Sequence, residues 1–191
     1  MSLIACFDRQ LRPLPEGHIP SLLPSLAVEW GEMGPRQRPV SSAPHLTYAR
    51  ELHGLEGRFQ TVLMDRARFS PAATGAKHRK ALARGPAGCE PLDLHTHRDR
   101  EIRVVLAGQA SFTLETPFGW ATVLCGGGDW IALPPGLPHR CEPSPAQGVD
   151  LLRLFSMPDG WAPTPAGRDV PRGLSPWPEV PATRTARAVT A

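Results

Sequence analysis

Proline and glycine punctuation limits this chain more than any other feature. With 23 prolines and 18 glycines among 191 residues, it has little uninterrupted sequence for a long helix, because proline removes a backbone donor and both residues favour turns. Between about residues 89 and 157 the punctuation leaves short runs rich in β-branched, aromatic and aliphatic residues: EIRVVLAG, QASFTLET, GWATVLC, DWIAL and VDLLRLF. Closely spaced runs of this kind predict antiparallel strands forming a barrel or a double sheet.

The flanks read differently. Seven prolines lie between residues 12 and 44, which predicts an irregular arm with Leu26 to Trp30 as a short strand. From Leu46 the spacing of Tyr48, Leu52 and Leu55 predicts a helix, and Thr61 to Met64 a strand. The basic, alanine-rich stretch Thr74 to Arg84 predicts a short exposed helix ending at Gly85-Pro86. A further six prolines after Gly160 precede an Arg, Thr and Ala mixture, where a flexible tail is expected. The expected organisation is a Pro-rich arm over 1–45, a barrel with its preceding helix and strand over 46–162, and a tail over 163–191.

Charge excludes little but points somewhere. The 21 basic residues are scattered and nearly offset by 18 acidic ones, so the formal charge of +3 does not mark a nucleic-acid binder. The start of the chain lacks the pattern of a secretory signal, and no run approaches the ~18 apolar residues of a membrane span. A cytoplasmic location with no membrane partner is expected. Cys6, Cys89, Cys125 and Cys141 contain no C-x-x-C pair, which predicts separate reduced thiols.

The chemistry-bearing residues are His95, His97 and Glu101, with His139 beyond several predicted strands. Side chains alternate along a strand, so His95 and His97 share a face, and Glu101 rejoins them after a small turn. His139 supplies a fourth group from a later strand. Imidazoles with one carboxylate suit iron, nickel, cobalt, manganese or zinc, and two open octahedral positions would admit water, dioxygen or substrate. An H-x-H alone is common at strand ends; its combination with Glu101 and His139 carries the reading. Phe112, Trp120 and Trp130 are expected to pack, and His18, His45, His53 and His78 to lie on the surface.

The same residues resemble the two motifs of the cupin superfamily. His95, His97, Glu101 and Gly108 satisfy H-x-H, three residues, Glu, six residues, Gly; Gly128, Pro134, Gly136 and His139 satisfy the second motif. Two positions depart from the pattern: six residues rather than five separate Gly88 from His95, and Pro143 replaces a closing Asn. Within the cupins the chain is most similar to the acireductone dioxygenase family, on the segments HTHRDREIRVVLAGQASF, GDWIALPPGLPHR and LLRLFSMPDGW.

That resemblance implies a mainly β, single-domain cupin, a double-stranded β-helix or jelly-roll barrel with a few short helices and irregular Pro-rich ends. It implies a metal held by His95, His97, Glu101 and His139, iron(II) being expected and nickel(II) the alternative. The implied reaction is cleavage of 1,2-dihydroxy-5-(methylthio)pent-1-en-3-one by dioxygen to 4-methylthio-2-oxobutanoate and formate, in methionine salvage. No catalytic group beyond the metal centre is expected. Arg103 and Arg153 are the expected substrate-binding residues, since charge-assisted contacts suit a small anionic enediol. Leu94 stands where the family has an acid, and Cys141 and Val104 where it has aromatics, so Leu94 and Cys141 are placed at the pocket. A divergent cupin acting on another enediol or diketone, or a non-catalytic ligand-binding cupin, is the alternative; a monomer or small homo-oligomer is expected.

Overall fold

The computed structural model describes residues 4–15, 19–34, 44–70, 93–171 and 173–177. Among the described residues, ten strands and three short helices follow one another. They are β1 (Ile4–Asp8), α1 (Ile19–Ser25), β2 (Glu29–Glu32), α2 (Pro44–Thr47), α3 (Ala49–Phe59), β3 (Leu63–Phe69) and β4 (His95–His97). There follow β5 (Glu101–Thr116), β6 (Gly119–Gly126), β7 (Asp129–Leu133), β8 (His139–Pro143), β9 (Val149–Phe155) and β10 (Pro163–Pro165). The fold is mainly β, as expected. All the strand pairs are antiparallel.

Strand β5 organises the molecule. The two runs EIRVVLAG and QASFTLET, read as separate strands, form one strand of 16 residues. Its first half pairs with β7 and β9, and its second half with β6 and β8. Between them the ladder to β9 shifts register at Val105/Ala107, and Gly108 takes φ 74°. A Cβ on Gly108 would lie 2.3 Å from the Gly148 carbonyl oxygen, so a glycine is what lets the strand bend here without breaking. Two sheets therefore share β5: β1-β6-β5-β8-β4-β10, and a second built from β2, β7, β5, β9 and β3. Among the described residues the ladder does not close into a ring.

Alternation along the strands sorts side chains into two cores. Val105, Phe112, Leu114, Val123, Ile131, Leu133, Cys141 and Leu151 meet between the sheets. Ile102, Val104, Leu106, Leu152, Leu154 and Trp130 point the other way, under Leu52 and Leu55 of α3. This is why β5 is buried on both faces and shows no apolar–polar alternation of its own. Helix α3 ends at Gln60, whose left-handed backbone (φ 51°) lets its N–H donate to the Glu56 carbonyl.

Several flanking segments contribute to the sheets. β1 and β2, both within the Pro-rich arm, pair with β6 and β7; the strand expected over Leu26 to Trp30 forms over Glu29–Glu32 instead. Pro163–Pro165, placed in the tail from sequence, pairs with β4 at the end of its sheet, where prolines are tolerated. The helix expected over Thr74 to Arg84 lies outside the described residues. No disulfide joins the described cysteines Cys6, Cys125 and Cys141, all of which are buried. Among the described residues no helix is long and apolar enough to cross a membrane.

Candidate metal centre

β4 carries His95 and His97 on its inner face, and β8 places His139 directly opposite His95. One turn after β4, β5 begins with Glu101. All four side chains are buried, with exposures of 4% or less. One nitrogen from each of the three imidazoles lies within 4.8 Å of the others, a separation from which a single ion can be shared. The rings of His95 and His139 are 4.5 Å apart, those of His95 and His97 5.0 Å.

The backbone fixes which nitrogens face inward. Nδ1 of His95 lies 2.8 Å from the Asp93 carbonyl oxygen and Nδ1 of His139 2.9 Å from that of Leu137, so each ring donates there and keeps an Nε2 lone pair for the centre. His97 is different: neither ring nitrogen has a hydrogen-bond partner although the residue is buried. An unpartnered buried imidazole is costly unless something binds it. Glu101 closes the fourth side, its Oε2 3.1 Å from His139 Nε2 and its Oε1 3.5 Å from His97 Nε2. The donor set fits a divalent transition-metal ion.

Electrostatics keep His95, His97 and Glu101 in ligand form. Burial pushes His95 down to about 3, assisted by the neighbouring His139, and burial likewise lowers His97 against the opposing pull of Glu101. Burial alone would raise Glu101, but the Arg103 guanidinium, with His97 and His139, holds it well below the usual carboxylate range. Neutral imidazoles and an ionised carboxylate are what a metal requires.

Arg103 points inward as the period of β5 dictates, 4% exposed, with Nη2 2.8 Å from Glu101 Oε1. Its Nε has no partner. Arg153 faces Arg103 across the β5–β9 ladder and Asp65 across the β3–β9 ladder. Arg153 meets an acid: Nε donates to Asp65 Oδ1 at 2.7 Å, and Nη2 to Oδ2. Cys141 lines the inner core two residues beyond His139, and burial pushes its thiol up to about 11. Leu94 lies elsewhere, in an outer cluster with Trp120 and Leu174, because adjacent residues on a strand point to opposite faces. Phe112 is in the inner core, Trp130 packs on Phe59, and His53 is exposed. His18, His78 and the side chain of His45 lie outside the described residues.

Three contributors escape a reading of ligand spacing. Asp65 neutralises Arg153, the Phe155 ring sits 5.5 Å from that of His97, and Asp99 is buried between two of the candidate ligands. A solitary acid in the strand LMDRARF was the available signal for Asp65, since an arginine inside LLRLF needs a counter-charge.

The fold and the histidine-carboxylate cluster together define a cupin-type protein. Residues 92–163, somewhat over a third of the chain, match the model of the ARD/ARD' family. The acireductone dioxygenase of Alcanivorax borkumensis is 37% identical over 79 residues, covering 41% of this chain and 44% of that protein. That of Gluconobacter oxydans is 37% identical over 79 residues, 41% of this chain and 42% of that protein. That of Parasynechococcus marenigrum is 32% identical over 126 residues, 65% of this chain and 62% of that protein. The chain thus spans less than half the length of the first two. Acireductone dioxygenase from Bacillus anthracis, solved with a cadmium ion in its active centre, superposes with a TM-score of 0.66 at 16% identity, covering 84% of this chain and 96% of that one. That likeness speaks to the fold.

Proposed function

We propose that this chain is a metal-dependent acireductone dioxygenase, with His95, His97, Glu101 and His139 as the metal ligands and iron(II) as the working metal. The buried His97, with both ring nitrogens unpartnered beside two inward-facing imidazoles and an ionised carboxylate, is the observation that carries this reading. The substrate is 1,2-dihydroxy-5-(methylthio)pent-1-en-3-one; dioxygen cleaves it to 4-methylthio-2-oxobutanoate and formate, a methionine-salvage step of the cytoplasm. When bound, a metal held by these four residues would supply Lewis-acid chemistry for an enediolate and dioxygen. Nickel(II) is the alternative occupant and would redirect cleavage towards carbon monoxide.

The protein's own residues hold and orient the anion. Arg103 has a buried Nε–H without a partner, a donor available to a substrate oxygen. Arg153 has its Nε and one Nη2 hydrogen committed to Asp65, which leaves Nη1 as its free edge. The inner apolar core, including Phe112, Leu114 and Cys141, keeps water from one side of the site. The electrons for cleavage come from the enediolate itself, so no protein redox group is needed.

The test is anaerobic addition of the acireductone to iron-loaded protein, then oxygen and product analysis. Formate and the 2-oxo acid formed faster than in buffer are the expected result. Substrate that binds but is consumed at the buffer rate would mean a ligand-binding cupin instead, and turnover of a different enediol or a diketone alone would mean a divergent enzyme.

A further inference from the structure

Asp99 lies midway between His97 and Glu101, in the turn joining β4 to β5. It is 5% exposed and accepts four hydrogen bonds. Oδ2 accepts from the backbone N–H of Ser156 at 2.6 Å and of Met157 at 2.8 Å. Oδ1 accepts from the Ser156 hydroxyl at 2.6 Å and the Arg100 N–H at 2.7 Å. Three of these donors belong to the turn that follows β9, so one carboxylate ties the end of β9 to the turn bearing two candidate ligands.

The receiving turn is shaped around that carboxylate. A Cβ on Gly160 would lie 2.5 Å from Asp99 Oδ2 and 2.6 Å from its Cβ, so a glycine leaves the room that Asp99 occupies. Phe155, immediately before Ser156, sets its ring against that of His97. The turn that Asp99 holds thus begins directly after a ring that packs on one of the candidate ligands.

We propose that Asp99 is the positioning residue of the metal centre: by fixing the β4–β5 turn to the end of β9, it sets the separation of His97 and Glu101 and hence the affinity and geometry of the ion they hold. This rests on the metal-centre reading above. Three residues of turn leave several soft backbone dihedrals between the two ligands, and without the clamp their spacing is not fixed by covalent geometry. Groups that orient ligands without touching the metal commonly change metal affinity by about 10–100-fold when removed.

Cobalt(II) is a suitable probe, because its visible absorption reports coordination geometry separately from activity. Full-length wild type, Asp99→Asn, Gly160→Ala and Ser156→Ala would be titrated with cobalt(II) and their spectra recorded. Asp99→Asn and Gly160→Ala should bind at least about 10-fold more weakly with altered spectra, although neither changes a ligand. Ser156→Ala, which removes one hydrogen bond of the four, should show a smaller change in the same direction; it carries the test if the other two do not fold. Asp159→Ala, an exposed change in the same turn paired only with surface Arg98, should behave as wild type. Wild-type affinity and spectrum in Asp99→Asn, or in Ser156→Ala where the stronger variants do not fold, would overturn the proposal. Failure of the wild type itself to bind cobalt(II) would overturn the metal-centre reading beneath it.

Discussion

The charges inside the site are arranged in opposed pairs, and each pair answers to removal differently. Glu101 is fully buried and leans on Arg103, whereas Asp65 is 30% exposed at its side chain and leans on Arg153. Arg103→Ala should destabilise the metal-free protein by roughly 3–5 kcal/mol, because it strands a buried carboxylate. Bound metal should recover part of that loss, and denaturant titrations with and without metal would show it. Arg153→Ala should cost less stability, since water reaches Asp65, yet lower kcat/KM by about 10–100-fold if its free edge holds the substrate, as a charge-assisted hydrogen bond of ~1.5–3 kcal/mol implies. Metal content should stay normal in Arg153→Ala; steady-state kinetics beside elemental analysis separates the two effects. The clustering of His95, His97, Glu101 and His139 was legible in the sequence because strand alternation and motif spacing are local. The partner of Arg153 was not, because Asp65 reaches it only through pairing across 88 positions of chain.

At the scale of elements, β5 is the member on which both sheets depend. Its bend is made at Gly108, where the positive φ and the Gly148 carbonyl oxygen 2.3 Å from any Cβ both demand glycine. Gly108→Ala should therefore lower stability by more than about 1 kcal/mol, measured as a shift in denaturant midpoint. An unchanged midpoint would mean that the bend is set elsewhere. The same element shows how sequence misleads: a glycine between two β-prone runs reads as a turn, and only the ladders on both sides reveal a continuous strand with a bulge. Strand β10 is the complementary case. Its two prolines argue against a central strand but fit one that pairs only with β4.

Across the whole molecule, the arrangement puts an apolar core and a charged site in the same space between two sheets, with α3 sealing one outer face. Strand runs and cupin spacing were enough to anticipate this architecture and the place of His95, His97, Glu101 and His139 within it. The contributions of the flanks, β1, β2 and β10, were not, since proline-rich text carries no pairing partner in its own pattern. Everything in the functional reading depends on the centre holding an ion. The direct measurement is elemental analysis of wild type and His97→Ala, each purified without chelators and supplied with iron and nickel. Close to one transition-metal ion per chain in the wild type, and a large loss in the variant with its fold retained, is the expected result; a wild type that binds no metal, or a variant that binds as much, would contradict it.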